Sequence, residues 1–241
     1  MLRVPKKLIS GNTSISKNDE VDNFLSTVES MPPSIAKTAE NTGQLIFSLD
    51  ATASRQATWD RAAALQGDMF TKTRGLAELN LQLVYFRGYN ECRASPWLNQ
   101  PQALVKLMGK ISCSAGHTQI ERVLKHALAE AKIRPVHAMV YIGDCVEEDI
   151  DTLGNLAGQL KLLGLPVFVF QEGFDPTASM AFAQIAALSG GAHCRFDQNS
   201  SDQLAQLLNA VAVYATGGRE ALQRISGNGS RQASLLLEQL R

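Results

Sequence analysis

Short apolar runs that alternate with stretches of helical spacing constrain this chain more than any other feature. Leu45-Ile46-Phe47-Ser48-Leu49 is almost wholly apolar and stops at Asp50, as a strand buried on both faces does. From Ser54 to about Lys72, Ala, Leu, Met and Phe recur at helical spacing. The pattern then repeats. Strands are predicted at Leu79–Phe86, Val136–Ile142, Leu165–Phe170 and Ala192–Phe196, with a short strand at Glu91–Ala94 beside the second. Helices are predicted at Pro101–Ile111, Thr118–Ile133, Glu147–Leu163, Thr177–Leu188 and Asp202–Tyr214. Pro at a first turn, Pro135 after the central helix, and Gly164 and Gly190-Gly191 after later ones punctuate the pattern as helix boundaries do. Strand-helix alternation of this kind predicts βαβ units and an α/β fold built on a mostly parallel sheet.

The expected domain runs from about 43 to 216. Residues 1–42 read as a polar arm, with Val21, Phe24, Leu25 and Val28 at helical spacing and a break at Met31-Pro32-Pro33. Residues 217–241 read as a helical extension in which Leu235, Leu236, Leu237 and Leu240 crowd the last turns. That extension suits either packing on the domain or binding a partner.

Charge and cysteine use narrow the function classes. The 241 residues carry 23 Lys+Arg and 23 Asp+Glu, a formal net charge of zero. No bulk attraction to nucleic acid or to an acidic membrane follows from such a balance. The longest apolar stretch, around Leu162–Phe170, is interrupted by Gly164 and Pro166 and falls short of the roughly 20 residues that span a bilayer. The first 20 residues lack the apolar run of a signal peptide. Cys92, Cys113, Cys145 and Cys194 are scattered, with no pair at metal-knuckle spacing. They read as free thiols in a reducing cytoplasm, and a zinc site is not expected from them.

In an open parallel sheet, ligands bind beyond the carboxyl ends of the strands. Asp50-Ala51-Thr52-Ala53-Ser54 follows the first strand, Gly116-His117-Thr118 precedes the central helix, and Gly143-Asp144 follows the middle strand. Together they place two carboxylates and three hydroxyls at one edge, hard oxygen donors of the kind Mg²⁺ accepts. Each residue has an ordinary structural role as well. Asp50 suits an Asx-turn or a helix N-cap, Thr118 an N-cap and Asp144 a turn. The acids Glu147 to Asp151 suit a helix N-terminus or a negative rim. His117 reads as a loop residue, Cys145 as a small packing residue, and Trp59 and Trp97 as packing residues, with Trp97 also placed to be an exposed anchor.

The order Asp50-x-Thr52-x-Ser54, Thr118, Asp144 resembles the metal-ion-dependent adhesion site (MIDAS) of the von Willebrand factor A (VWA) family, whose pattern is Asp-x-Ser-x-Ser, a later Thr and a later Asp. Thr52 stands at the first Ser and keeps the hydroxyl. His117 stands where a second Gly is usual. Leu165–Phe170 resembles the family's fifth strand, and residues 185–193 its closing helix, Gly-Gly turn and last strand. The resemblance implies a doubly wound, mostly parallel six-stranded sheet with helices on both faces. It also implies a divalent cation, Mg²⁺ or Mn²⁺, on Asp50, Thr52, Ser54, Thr118 and Asp144, completed by an Asp or Glu of a protein partner, with no catalytic residue. A haloacid-dehalogenase-like phosphatase with Asp50 as nucleophile is an alternative, since Asp-x-Thr-x-Ser and Gly143-Asp144 with Asp149 also mimic that pattern. It lacks a placed Lys and does not account for Thr118 or the Gly190-Gly191 turn. A VWA-like scaffold that binds partners without metal is the third reading.

Overall fold

The structure, a computed structural model, describes residues 43–55, 79–196, 208–209, 211–217 and 221. Its strands are β1 (Gly43–Asp50), β2 (Leu79–Arg87), β3 (Glu91–Ala94), β4 (Ala138–Gly143), β5 (Val167–Glu172) and β6 (His193–Phe196). Its helices are α1 (Pro101–Met108), α2 (Ile120–Ile133), α3 (Ile150–Leu162) and α4 (Pro176–Ser189), and residues 208–209 and 211–217 are also helical. The six strands form one sheet in the order β3-β2-β1-β4-β5-β6, parallel except for β3, which pairs antiparallel with β2 at the edge. The expected α/β architecture is therefore present.

Alternation along each strand divides the core into two layers. Leu45, Phe47 and Leu49 point to one face with Leu81, Val140, Ile142, Phe168 and Phe170, covered by Leu104 and Met108 of α1 and by Leu208, Val211 and Tyr214. Ile46, Met139, Tyr141, Val167 and Val169 point to the other face, where α2, α3 and α4 cover them. Every residue of β4 and β5 is buried, which is why β4 and residues 167–170 of β5 read as apolar runs rather than alternating ones. Burying a Leu, Ile or Phe side chain contributes roughly 1.5–3 kcal/mol, so these two layers supply the main driving force for the fold.

The sheet grows from β1 outward in one direction through β2 and β3, then in the other through β4, β5 and β6. The direction reverses between β1 and β4, which pair with Leu49 opposite Ile142. A crevice opens beyond the carboxyl ends of the strands at such a reversal. Asp50 closes β1 there, and Asp144 follows β4.

Several boundaries differ from the sequence expectation. The helix expected from Thr118 begins at Ile120, with Gln119 at its N-cap and no side-chain cap. The helix expected from Glu147 begins at Ile150, where Asp149 accepts a 2.9 Å hydrogen bond from Thr152 N. In α4, Asp175 accepts from Ala178 N at 2.6 Å and Gly190 ends the helix at φ 76°, the left-handed geometry that glycine adopts without strain. The helix expected over residues 54–72 lies outside the described residues beyond its start. There Ala53–Arg55 form a 3-10 turn. The arm 1–42, Trp59 and the leucines at 235–240 also lie outside them.

Candidate metal centre

Asp50 is fully buried at the end of β1. Its Oδ1 accepts a 2.7 Å hydrogen bond from Thr52 N, an Asx-turn that swings the chain across the end of the sheet. The turn brings Thr52 Oγ1 within 3.0 Å of Ser54 Oγ. Asp50 Oδ2 is buried and has no hydrogen-bond partner. Burial pushes the Asp50 carboxyl up to about 6, against the lowering effects of the Thr52 hydrogen bonds and the Arg55 charge, and the nearby Asp144 charge adds to the rise. The Asx-turn and a ligand role are thus compatible, because they use different oxygens.

Asp144 faces Asp50 across the crevice. Oxygens of Asp50 and Asp144 and the Cys145 sulfur all lie within 4.8 Å of one another. Asp144 Oδ1 is also buried without a partner. Beneath them, Ser48 Oγ and Tyr141 OH are buried without partners too. Burial, and after it the Asp50, Glu148 and Cys145 charges, holds the Tyr141 phenol well above its usual range. Gly143 belongs to β4 and is not a turn residue. A Cβ there would lie 2.6 Å from Tyr141 OH, so glycine is what lets the phenol reach the crevice floor. Four polar atoms without partners in one buried region are unusual, since such groups are nearly always satisfied.

Thr118 is held from the Asp144 side. Its N–H donates to Glu147 Oε2 at 2.9 Å, and its Oγ1 accepts from Glu147 N at 3.1 Å. Glu148 accepts from Ile120 N at 2.7 Å and from Glu121 N at 2.8 Å. The acids after Asp144 therefore do serve helix N-termini: Glu147 and Glu148 that of α2, and Asp149 that of their own helix, α3. The arrangement satisfies donors that helix starts leave open and places negative charge at the positive end of the helix dipole. Gly116 lets this loop pass against the β2–β3 turn, where a Cβ would meet Gly88 O at 1.9 Å. His117 is exposed, with Nδ1 3.3 Å from Glu147 Oε2 and its ring edge-on to Tyr89.

Solved structures share this architecture. An aerotolerance-related membrane protein from Bacteroides fragilis matches with a TM-score of 0.56 and 16% identity over 70% of this chain and 98% of that one. The SpRpn10 VWA domain matches with 0.55 and 12% identity over 68% of this chain and 94% of its own. Proximal thread matrix protein 1 from the mussel byssus, solved with zinc in its MIDAS motif, matches with 0.57 and 14% identity over 70% of this chain and 45% of that one. The chain has the VWA fold. No protein-family model and no curated protein matches the sequence.

Within this VWA fold, Asp50, Thr52, Ser54, Thr118 and Asp144 all occur at the carboxyl edge near the β1–β4 reversal. The structure brings Asp50 and Asp144 into one cluster, joins Thr52 to Ser54, and ties Thr118 to the loop after Asp144 through Glu147.

Two features of the site go beyond the sequence expectation. Arg55 is 1% exposed. Its Nε donates to Glu172 Oε2 at 2.9 Å, its Nη2 lies 2.7 Å from the same oxygen, and its Nη1 donates to Asp50 O at 2.8 Å. This buried ion pair ties the turn after β1 to the end of β5. Glu172 ends the fifth strand as Asp50 ends the first, and that position is its signal in the sequence. The second feature is Cys145, whose thiol is pushed up to about 12 by burial and then by the Asp144 and Asp50 charges. Trp97, by contrast, is a packing residue. Its Nε1 donates to Glu130 at 2.9 Å and Arg134 lies over its ring.

No helix among the described residues is long and apolar enough to cross a membrane. All four cysteines are free thiols.

Proposed function

We propose that this VWA domain is a metal-dependent protein-docking module. A divalent cation would sit at the carboxyl edge on Asp50, Thr52, Ser54, Thr118 and Asp144, and an Asp or Glu of a partner protein would complete its coordination. The observation that carries the reading is the Asp50 carboxylate: fully buried, with one oxygen unpartnered and a second carboxylate within 4.8 Å. Two carboxylates this close in a buried crevice repel each other, and the arrangement costs stability until a cation or a proton joins them. The donors fit a divalent ion, and oxygen donors of this type accept Mg²⁺ or Mn²⁺. Zinc in the MIDAS motif of the mussel protein supports a divalent ion in this fold.

The electrostatics also give a reason for metal dependence. Asp50 and Asp144, with Glu147 and Glu148 just behind, form an acidic crevice that repels an acidic partner when empty. A bound ion reverses the local sign and leaves charge for one more carboxylate. Docking then depends on the ion, and neutral overall charge is no obstacle. The free thiols fit a reducing compartment, and we place the protein in the cytoplasm. The domain would span residues 43–216, with the two ends as arms.

Thermal unfolding with Mg²⁺ or Mn²⁺ against a chelator tests the site. Binding to the native state raises the melting temperature by mass action. The wild type is expected to shift and Asp50→Ala is not. An unshifted wild type overturns the reading. Proteins captured by the wild type and lost with Asp50→Ala or with chelator would then identify the acidic partner.

A further inference from the structure

Resting on the docking reading, we propose that Cys145 is a ligand of the same ion, so that the centre prefers a thiophilic cation such as Zn²⁺ over Mg²⁺. The geometry has three parts. The Cys145 sulfur lies in one cluster with Asp50 and Asp144, each ligand atom within 4.8 Å of the others. Asp50 presents to that cluster a buried oxygen with no partner, on a side chain that is wholly inaccessible. Asp144 presents a second buried oxygen with none. The thiol therefore does not stand alone; it shares a cluster with two carboxylates that lack partners for an oxygen each.

Donor chemistry decides the metal. Oxygen-only sites suit Mg²⁺ and Mn²⁺, whereas a thiolate selects softer ions, with Zn²⁺ and Co²⁺ well served by mixed sulfur and oxygen sets. Zinc binds sulfur at about 2.3 Å and carboxylate oxygen at about 2.0–2.2 Å. Ligand atoms around a tetrahedral ion of that size lie about 3.5 Å apart. With every pair within 4.8 Å, at most roughly 1 Å of side-chain closure is needed, which a Cys and an Asp in adjacent positions of a loop provide by rotation. On binding, the S–H bond gives up its proton to water and the sulfur bonds the ion as thiolate. The spacing rule for zinc looks for pairs of cysteines; here one cysteine is joined by carboxylates from two different strand ends.

The test uses the full chain with Mg²⁺, Zn²⁺ and Co²⁺ in turn, on the wild type, Cys145→Ser and Asp50→Ala. Wild type is expected to bind Zn²⁺ far more tightly than Mg²⁺ and, with Co²⁺, to show the near-ultraviolet thiolate-to-cobalt charge-transfer band. Cys145→Ser should lose the band and about tenfold or more of its Zn²⁺ affinity, while still binding Mg²⁺ or Mn²⁺, which shows that it is folded. Asp50→Ala should lose the band as well. A Co²⁺ complex of the wild type without the band, or an unchanged Zn²⁺-to-Mg²⁺ ratio in Cys145→Ser, overturns the thiol ligand and leaves the oxygen centre standing. A band that survives in Cys145→Ser belongs to another cysteine, and one that survives in Asp50→Ala shows an ion held without Asp50; either overturns the proposal. No binding of any ion by the wild type overturns both the thiol ligand and the docking reading.

Discussion

The two sides of the crevice are fixed in opposite ways. On the β1 side, Arg55 and Glu172 form a buried ion pair, and Arg55 also holds the Asp50 carbonyl. The backbone is anchored, yet the Asp50 carboxylate keeps an oxygen without a partner. On the α2 side, Glu147 and Glu148 supply acceptors to Thr118, Ile120 and Glu121, and Thr118 returns one hydrogen bond. The β1 side holds a carboxylate oxygen out of reach of its neighbours, while the start of α2 pairs its groups and leaves only Asp144, at the loop's beginning, with an oxygen unpartnered. Paired groups are scaffold; a buried group kept unpaired by an anchored backbone is where a ligand belongs.

Breaking the anchor has the largest expected effect. Arg55→Met leaves Glu172 buried without its cation, and the cost is about 3–5 kcal/mol of unfolding free energy. Denaturant unfolding measures it. Arg55→Met with Glu172→Gln should recover a substantial part, because the stranded charge is gone. If the double variant is as unstable as the sum of the singles, the two residues are not coupled and the anchor is misassigned.

Removing the unpaired carboxylate should act in the other direction on the metal-free protein. The Asp50 pKa rises from 3.8 to about 6 on folding, so the fold favours the protonated form. Its contribution is favourable at low pH and is lost as pH rises from about 4 through 6, the loss reaching about 3 kcal/mol at neutral pH. Asp50→Asn places a neutral amide there. In chelator at neutral pH the variant should be more stable than wild type by up to about 3 kcal/mol, with a flatter pH profile, and metal should no longer raise its melting temperature. A variant that is less stable at neutral pH in chelator would show that the native carboxylate is paired after all.

On the opposite side, Glu148→Ala removes the acceptor of two helix-start donors. The expected loss is about 1–2 kcal/mol, that of a helix cap, with the melting shift by metal retained. If the metal response disappears as well, Glu148 is part of the centre and the division between scaffold and ligand is drawn in the wrong place.

The sequence carried the sheet because buried parallel strands are short apolar runs, and β1, β4 and β5 have little other choice. It carried the convergence of Asp50 and Asp144 because strand ends in an open sheet are where loops meet, and the structure brings the two carboxylates into one cluster. Helix starts were less so. Thr118 and Glu147 looked like first turns, but α3 starts at its own cap, Asp149, and the carboxylates that settle the start of α2 come from a loop nearly 30 positions away, as the Thr118–Glu147 pair shows. Arg55 and Glu172 are separated by 117 positions, and no local pattern links them. Gly143 was expected just after the middle strand, yet it lies in β4 and its missing side chain makes room for the phenol two residues before it.

The smallest expected change in stability bears most directly on the division between the two sides, because Thr118 lies on the paired side and is still proposed as a ligand. Its hydroxyl accepts one bond, from Glu147 N. A hydroxyl has a second lone pair and a proton to give, so both roles fit one atom. Thr118→Val keeps the shape and removes that atom. Glu147 N then loses one acceptor, a cost of about 1 kcal/mol, and Thr118 N keeps its own bond to Glu147. Stability alone cannot separate ligand from scaffold here, but metal affinity can. A ligand role predicts that the melting shift by Mg²⁺ or Mn²⁺ falls well below wild type although the chelated protein is barely changed. An equal shift in both proteins would return Thr118 to the scaffold, leave Asp50, Thr52, Ser54 and Asp144 as the oxygen donors, and make the contrast between the two sides of the crevice complete.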